Sequence, residues 1–346
     1  LCSEELGTRR VSVEAARRVY SRLPGEAGVT ARVRLSLRVV SDYLFIGSGR
    51  EAWTGLEKTA SRLDISRLRG PGERLLRSLK SLVGVASAGI IKDFFRVRNP
   101  YTGRMEPAVP GSSLKGAARA RLELATRDTG KGRVVANFLY DSGAVTRLPQ
   151  PGQQGWRHAR IWCESVAEQR DAEARPTVGE ELYGVADAEL SLSSKAFFST
   201  FYPAEGVRCE IVRLDHGEVL CAVTRNAVFR GYIDVVNASL EELGLLLYSL
   251  GFDKLLCGKE PLLLLGYSKY RCRVLAGSNR RVSFGVVSPS LEGIVEAPWS
   301  RGALSGCSVT GTEAARCLVE RALASYPGLP RCFDEVSRRF ALEPCQ

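Results

Sequence analysis

An α+β fold with a ferredoxin-like (RRM-like) core, enlarged by insertions, is the fold class this sequence predicts, and three observations predict it. Period-two alternation marks a strand at Ala31–Val39; a helix with an apolar stripe lies at Pro107–Glu123; and strand signals from 186 to 236 lead into a second helix, NASLEELGLLLYSLG at 237–251. The segment GYSKYRCRV at 266–274 reads as a glycine turn entering a last strand, so the order is strand, helix, strands, helix, strand.

The elements follow in turn. A short amphipathic helix over 12–22 is ended by Pro24 and Gly25, making 1–28 a peripheral helical segment before a main domain over 29–284. The run VTARVRLSLRVVSDYLFIGSG at 29–49 alternates apolar and polar residues, then closes in the turn Gly47-Ser48-Gly49. Residues 50–87 form an Arg-rich insertion with a helix ERLLRSLKSLV at 73–83. The extended segment AGIIKDFFRVRNPYTG at 88–103 contains the tight turn Asn99-Pro100-Tyr101-Thr102-Gly103, hence a hairpin. After the helix at Pro107–Glu123 comes a polar, loop-like region at 146–182. Strands are predicted at 186–194, 210–215, 218–223 and 227–236, and Ser239 with Glu242 forms a capping box for the helix whose apolar positions are Leu240, Leu243, Leu246, Leu247 and Leu250. PLLLLG at 261–266 suits a buried strand, and 285–346 is a C-terminal extension carrying a helix at 311–326.

The start of the first long helix, PAVPGSSLKGAARARLE, asks for a physical reason. Pro110 restricts Val109, Gly111 permits a close or left-handed backbone, and Ser112 or Ser113 can cap the helix. Leu114, Ala118, Leu122 and Ala125 make its apolar stripe, while Lys115 and Arg119 lie on another face. Two cations in the first turns oppose the helix dipole and repel each other by about 0.2–0.5 kcal/mol. Two readings fit: an ordinary capped helix with a solvated basic flank, or an anion site in which a phosphate takes the free amides.

The whole chain of 346 residues has 49 Lys and Arg against 38 Asp and Glu, a formal net charge of +11. That balance favours a nucleic acid or another anionic partner. No apolar run is long enough to span a membrane, and LCSEELGTRRVSVEAARR has charges where a signal sequence needs an apolar core, so a cytoplasmic protein with no membrane partner is expected. Ten cysteines without a CxxC, and two histidines, give no zinc-ligand spacing; no structural zinc is expected, and mostly free thiols are the plain reading.

GxxxxGK[ST], GxSxG, HExxH and the zinc-deaminase pattern are all absent, and His158 with His216 is a poor basis for two-histidine ribonuclease chemistry. Asp93 is the better candidate for chemistry. It interrupts GIIKDFF beside Lys92 and before Arg96 and Arg98, so a phosphodiester held by those cations would pass near its carboxylate. The alternative is an aspartate paired with Lys92 or Arg96.

PAVPGSSLKGAARARLE, preceded by VRNPYTG and by a strand ending in FIGSG, resembles the repeat-associated RNA-binding superfamily of CRISPR effector complexes, most nearly the backbone subunit of type III systems. The likeness covers roughly 30–280 and continues through ELYGVADAELSLSS, CAVTRNAVFRGYI and LLLGYSKYRCRV; the family's last glycine-rich turn keeps only Gly266 here, with Lys269 and Arg271 beside it. The resemblance implies a subunit that polymerises along a CRISPR RNA, gripping its backbone with Gly111, Ser112, Ser113, Lys115 and Arg119. It also implies guide contacts from Lys92, Arg96, Arg98, Lys269 and Arg271, and displacement of nucleotides by the hairpin. The position matched by Asp93 cuts complementary target RNA in the backbone subunit with a divalent cation, Mg2+ or Mn2+, so Asp93 is the catalytic and metal residue the resemblance implies. Partners would be CRISPR RNA, target RNA and other effector subunits, like neighbours included; the insertion's Arg62, Arg67, Arg69, Arg74 and Arg77 would reach the bound strand or a neighbour. Two alternatives stand beside this: a non-catalytic end cap of the same complex, suggested by the material after 285, and a standalone guide-processing ribonuclease.

Overall fold

The computed structural model describes residues 28–53, 90–126, 135–136, 177–186, 191–204, 206–300 and 302–337. Its central strand is the alternating run: β1 (Val29–Val39) buries every odd-numbered residue and turns Arg32, Arg34, Ser36 and Arg38 away from the core. Beyond a break at 40–42 come β2 (Tyr43–Leu44) and β3 (Gly47–Trp53), then β4 (Ile90–Phe94), β5 (Arg96–Arg98) and β6 (Met105–Pro107), with α1 at Gly111–Ala125. Next are α2 (Val178–Tyr183), β7 (Val185–Ala186), β8 (Ser191–Leu192), β9 (Ala196–Phe198), β10 (Tyr202–Pro203), β11 (Cys209–Arg213), β12 (Val219–Thr224), β13 (Val228–Ala238) and α3 (Leu240–Ser249). The chain continues through β14 (Leu263–Leu264), β15 (Arg273–Val274), β16 (Arg281–Val282), β17 (Val286–Glu296) and α4 (Gly311–Ser325).

The architecture is mixed α+β. The larger sheet runs β10-β13-β1-β17-β14, with β9 also on β13, and every pairing in it is antiparallel. A second sheet, β11-β12-β4-β3 with β2 on β12, contains one parallel pair, β12 with β4. Phe94 of β4 is fully buried and stacks at 6.4 Å on Phe229 of β13, joining the two sheets through one core.

Several expectations change. Gly47-Ser48-Gly49 does not close the first strand; it opens β3, and the ladder with β4 slips between Gly47 and Glu51 around the left-handed Gly49. The end of the region read as loop, Val178–Tyr183, is a helix with a reciprocal Thr177–Glu180 capping box. The segment at 266–274 yields only β15, paired with β16; the last inner strand is β17, from the part read as a C-terminal extension. Leu245 of α3, outside its predicted stripe, is as buried as Leu243 and Leu246; α4 packs on α3, with the Leu318 backbone and the Ala322 side chain against Gly244. Cysteines also depart from the free-thiol reading: Cys257–Cys332 and Cys307–Cys317 are disulfides, while Cys209 and Cys221 are free. The helices predicted at 12–22 and 73–83, and the five insertion arginines, lie outside the described residues.

Candidate nucleic-acid interface

Phe95 draws three separated stretches together. Its amide donates to Ile46 at 2.7 Å and its carbonyl accepts from Ala108 at 2.9 Å, so FIGSG, the Asp93 strand and the approach to α1 become contiguous. Val109 and Phe201 then exchange two backbone hydrogen bonds, each 2.9 Å, fixing the chain just before the helix on the β9–β10 segment.

At the helix start the cap is Pro110, extended at φ −62° and ψ 137°, and no side chain caps it; Ser112 and Ser113 sit inside the first turn instead of capping it. The first turn has no acidic residue, and the amides of Gly111 and Ser112 find no protein acceptor among the described residues. Gly111 is there for space: a Cβ would lie 2.1 Å from the Phe198 carbonyl oxygen. The stripe of Leu114, Ala118, Leu122 and Ala125 is buried as predicted. Ser112 is exposed, and Lys115 is half-buried with no carboxylate partner among the described residues; burial, then the neighbouring Arg119, lowers its pKa. Arg119 is held elsewhere, donating to Glu123 at 2.8 Å and to the Gly184 carbonyl at 3.1 Å. Two cations expected on one flank thus have different situations.

Asp93 is half-buried on β4. Its Oδ1 accepts from Arg96 Nε at 3.2 Å, and Ser48 Oγ donates to its carbonyl at 3.3 Å, so the pairing considered from sequence is formed. Arg96 also reaches Cys221 Sγ at 3.6 Å. Arg98 is exposed. The hairpin tip between β5 and β6 is rigid by its own bonds: Asn99 donates to Glu106 at 2.6 Å and accepts from the Tyr101 amide at 2.9 Å, while Thr102 donates to Glu106 at 3.1 Å. This leaves Tyr101 at the tip 83% exposed, its ring edge-on to Tyr202 at 6.1 Å.

Among the described residues no group of three or more His, Cys, Asp or Glu side chains is placed to hold a metal ion. Asp93 fits a divalent cation as one carboxylate ligand only, with Oδ1 shared with Arg96; the remaining ligands would be phosphate oxygens and water, as Mg2+ commonly takes them.

The glycine loop sits on the same ground. Gly266, at φ +82°, leaves no room for a Cβ, which would meet the Phe45 carbonyl at 2.6 Å, and the Tyr267 amide donates to that carbonyl at 2.8 Å. Lys269 lies inward, 5.2 Å from the Tyr270 ring centre, its pKa lowered by burial against the pull of Glu335. Arg271 donates to Ser268 Oγ at 3.3 Å. A residue that sequence reasoning missed connects this loop to Lys92. Glu218, at the mouth of β12, accepts from Lys92 Nζ, from the Tyr267 hydroxyl, and from His216 Nε2 at 3.0 Å, with Arg273 at 3.8 Å. Nothing in EVLCAV marks it, because its partners lie up to 126 positions away.

Burial alone would raise the Glu218 carboxyl, but the hydrogen bonds from Lys92, Tyr267 and His216 outweigh it and hold the pKa down at about 2, from 4.5. A depressed carboxyl contributes stability that is present above about pH 4.5 and lost as pH falls toward 2. Glu218→Gln should therefore flatten the acid limb of a stability-against-pH curve in that window; an unchanged acid limb in urea titrations would show that these bonds do not couple to folding.

No family model matches the chain and no curated protein matches it. Among solved structures it is similar to a chain of a Type IV-B CRISPR complex, with a TM-score of 0.36 and 11% identity, covering 75% of this chain and 89% of that one. A likeness that slight assigns neither fold nor function. No helix among the described residues is long and apolar enough to cross a membrane.

Proposed function

We propose that this chain is an RNA-binding subunit of a CRISPR effector complex, gripping the backbone of a guide RNA at the start of α1. The observation that carries the reading is the junction at Phe95, where motifs lying about sixty residues apart in the sequence meet, next to a helix start whose Gly111 and Ser112 amides and whose Lys115 find no partner among the described residues. Phosphate there would relieve the opposition between Lys115 and the helix dipole. The strand order supports a ferredoxin-like core: β17-β1-β13 with β9 and β10 outside, α1 between β1 and β9, and α3 between β13 and β17, is a split βαβ arrangement.

The finer reading is a type III backbone subunit, with Asp93 beside the scissile phosphate of complementary target RNA. A divalent cation bound there would neutralise phosphate charge as it develops. This chain's own part would be to hold the phosphate with Lys92, Arg96 and Arg98 and to align the target's 2′-hydroxyl. The end-cap reading has one observation in its favour, the Asp93–Arg96 ion pair, which gives Asp93 a structural partner.

Lys115→Ala tests the grip. Because a phosphate contact carries no base information, the variant should bind all RNA sequences more weakly to a similar degree and lower the salt slope of log K by about 1. Titrations of RNA at several salt concentrations decide it, and an unchanged affinity and slope would remove Lys115 from the interface.

A further inference from the structure

The core-facing side of the larger sheet packs on helices and on the second sheet. On its other face the β14–β17 end is buried with Val336, but among the described residues the part made by β1, β13 and β9 exposes Arg32, Arg34, Arg230 and Phe197 in a pattern that the helix start does not explain. On β1 the outward residues Arg32 and Arg34 flank Tyr232, which lies opposite Arg34 on β13; Arg32 stacks on the Tyr232 ring at 3.8 Å. On β9, Phe197 sits opposite Asp234, the next outward residue of β13, and is 51% exposed. At the far edge Tyr202 lies opposite Arg230, with Tyr101 of the hairpin tip over it. Aromatic faces and guanidinium groups thus interleave across β1, β13 and the two edge strands β9 and β10, and run up to the hairpin.

We propose that this open sheet face is a stacking platform for single-stranded RNA, in which bases lie on Phe197 and Tyr232, with Tyr202 and Tyr101 extending the path, and Arg34 takes a phosphate. The inference rests on the reading that the chain binds RNA, and adds a second surface to the helix start.

Charge and shape favour this occupant. Arg34 faces Tyr232 and Gly293 across its two neighbouring strands and has no carboxylate partner among the described residues. An apolar protein surface laid over it would bury an unpaired cation. The other cations hold exposed carboxylates, Arg32 on Asp234 and Arg230 on Glu292, and such pairs contribute so little in water that a phosphate can displace them. Every base has a π-face, so stacking on Phe197 and Tyr232 would be tolerant of sequence, as a guide of arbitrary sequence requires.

The test uses the full chain and a short fluorescent oligouridylate. Phe197→Ala and Tyr232→Leu should each weaken binding about 10-fold or more, Tyr232→Phe should stay near the unaltered chain, and Arg34→Glu, an exposed change that leaves the core intact, should weaken binding and its salt slope together. Photo-crosslinks from 4-thiouridine RNA should map to Phe197, Tyr232 or Tyr101. If all the sheet variants bind normally while Lys115→Ala binds weakly, the platform is refuted and the helix start survives; if the unaltered chain binds no RNA, both fall. Normal RNA binding with a changed oligomeric state would make the face a contact between protein copies and also overturn the proposal.

Discussion

Asp253→Ala should destabilise the fold by about 3–5 kcal/mol, enough to cost a marginally stable domain a large part of its stability. Arg121 of α1 is fully buried, donating to Asp253 at 2.6 Å and to the Phe333 carbonyl at 2.9 Å, with a further bond to the Tyr248 carbonyl. Asp253 also accepts from the Phe333 amide at 2.7 Å. Removing the carboxylate strands a guanidinium in the core and frees the Phe333 segment at once. Glu335, 4.0 Å from Arg121 Nε, offsets part of the lost attraction, which sets the effect nearer the lower end. Urea midpoints followed by circular dichroism would measure it, and a loss below about 1 kcal/mol would show that Arg121 reaches water when Asp253 is gone. The consequence for function is direct: the helix presenting Ser112 and Lys115 is anchored at its other end by the C-terminal segment. Truncation before Phe333 should act like the point change, because it removes both the carbonyl that accepts from Arg121 and the amide that donates to Asp253.

What the sequence disclosed follows from range. Elements fixed by local signals were legible: β1 by its alternation, α1 by its apolar spacing, α3 by its capping box, and the helix expected at 311–326 is α4. The boundary of the sheet was not, since β17, with Pro289 and Gly293 in it, fell in the part read as a C-terminal extension, and its pairing with β1 over Ala31–Val39 makes it a strand. The same limit applies at the candidate site. Gly111, Ser112 and Lys115 were visible because they lie close together in the sequence, whereas Glu218 has no local signal, and nothing near Arg119, read as part of a solvated flank or of an anion site, discloses the Gly184 carbonyl 65 residues away that accepts from it. Arg121 carries no local signal of burial and is among the largest fully buried side chains. The open face of the sheet was half legible: the arginines of β1 were read as its polar side, but the aromatics opposite them come from β9 and β13, and only the register brings them together.

In an assembled complex, Asp93→Asn should leave guide and target binding intact while lowering metal-dependent cutting of complementary target RNA by roughly a hundredfold or more, the scale of losing a positioned carboxylate. Asparagine keeps the size of the side chain and an oxygen for the Arg96 hydrogen bond, so the strand and hairpin should not move; the change removes charge at one place. Arg96→Gln separates chemistry from support. If Asp93 matters only as the partner of Arg96, at 3.2 Å, the two variants should behave alike, because each breaks the same ion pair. If its carboxylate meets the scissile phosphate, Arg96→Gln, which removes one of three phosphate-holding cations, should weaken the cuts and change their salt dependence while leaving residual cuts at a fixed interval set by the subunit repeat, whereas Asp93→Asn should lose the cuts with the salt dependence of target binding unchanged. Gel analysis of end-labelled target RNA reads both variants in one assay. Full cutting by a complex carrying Asp93→Asn in every copy would reject Asp93 as a catalytic residue, and a complex of unaltered subunits that makes no cuts would assign this chain to the end-cap position, where the Asp93–Arg96 pair is structural.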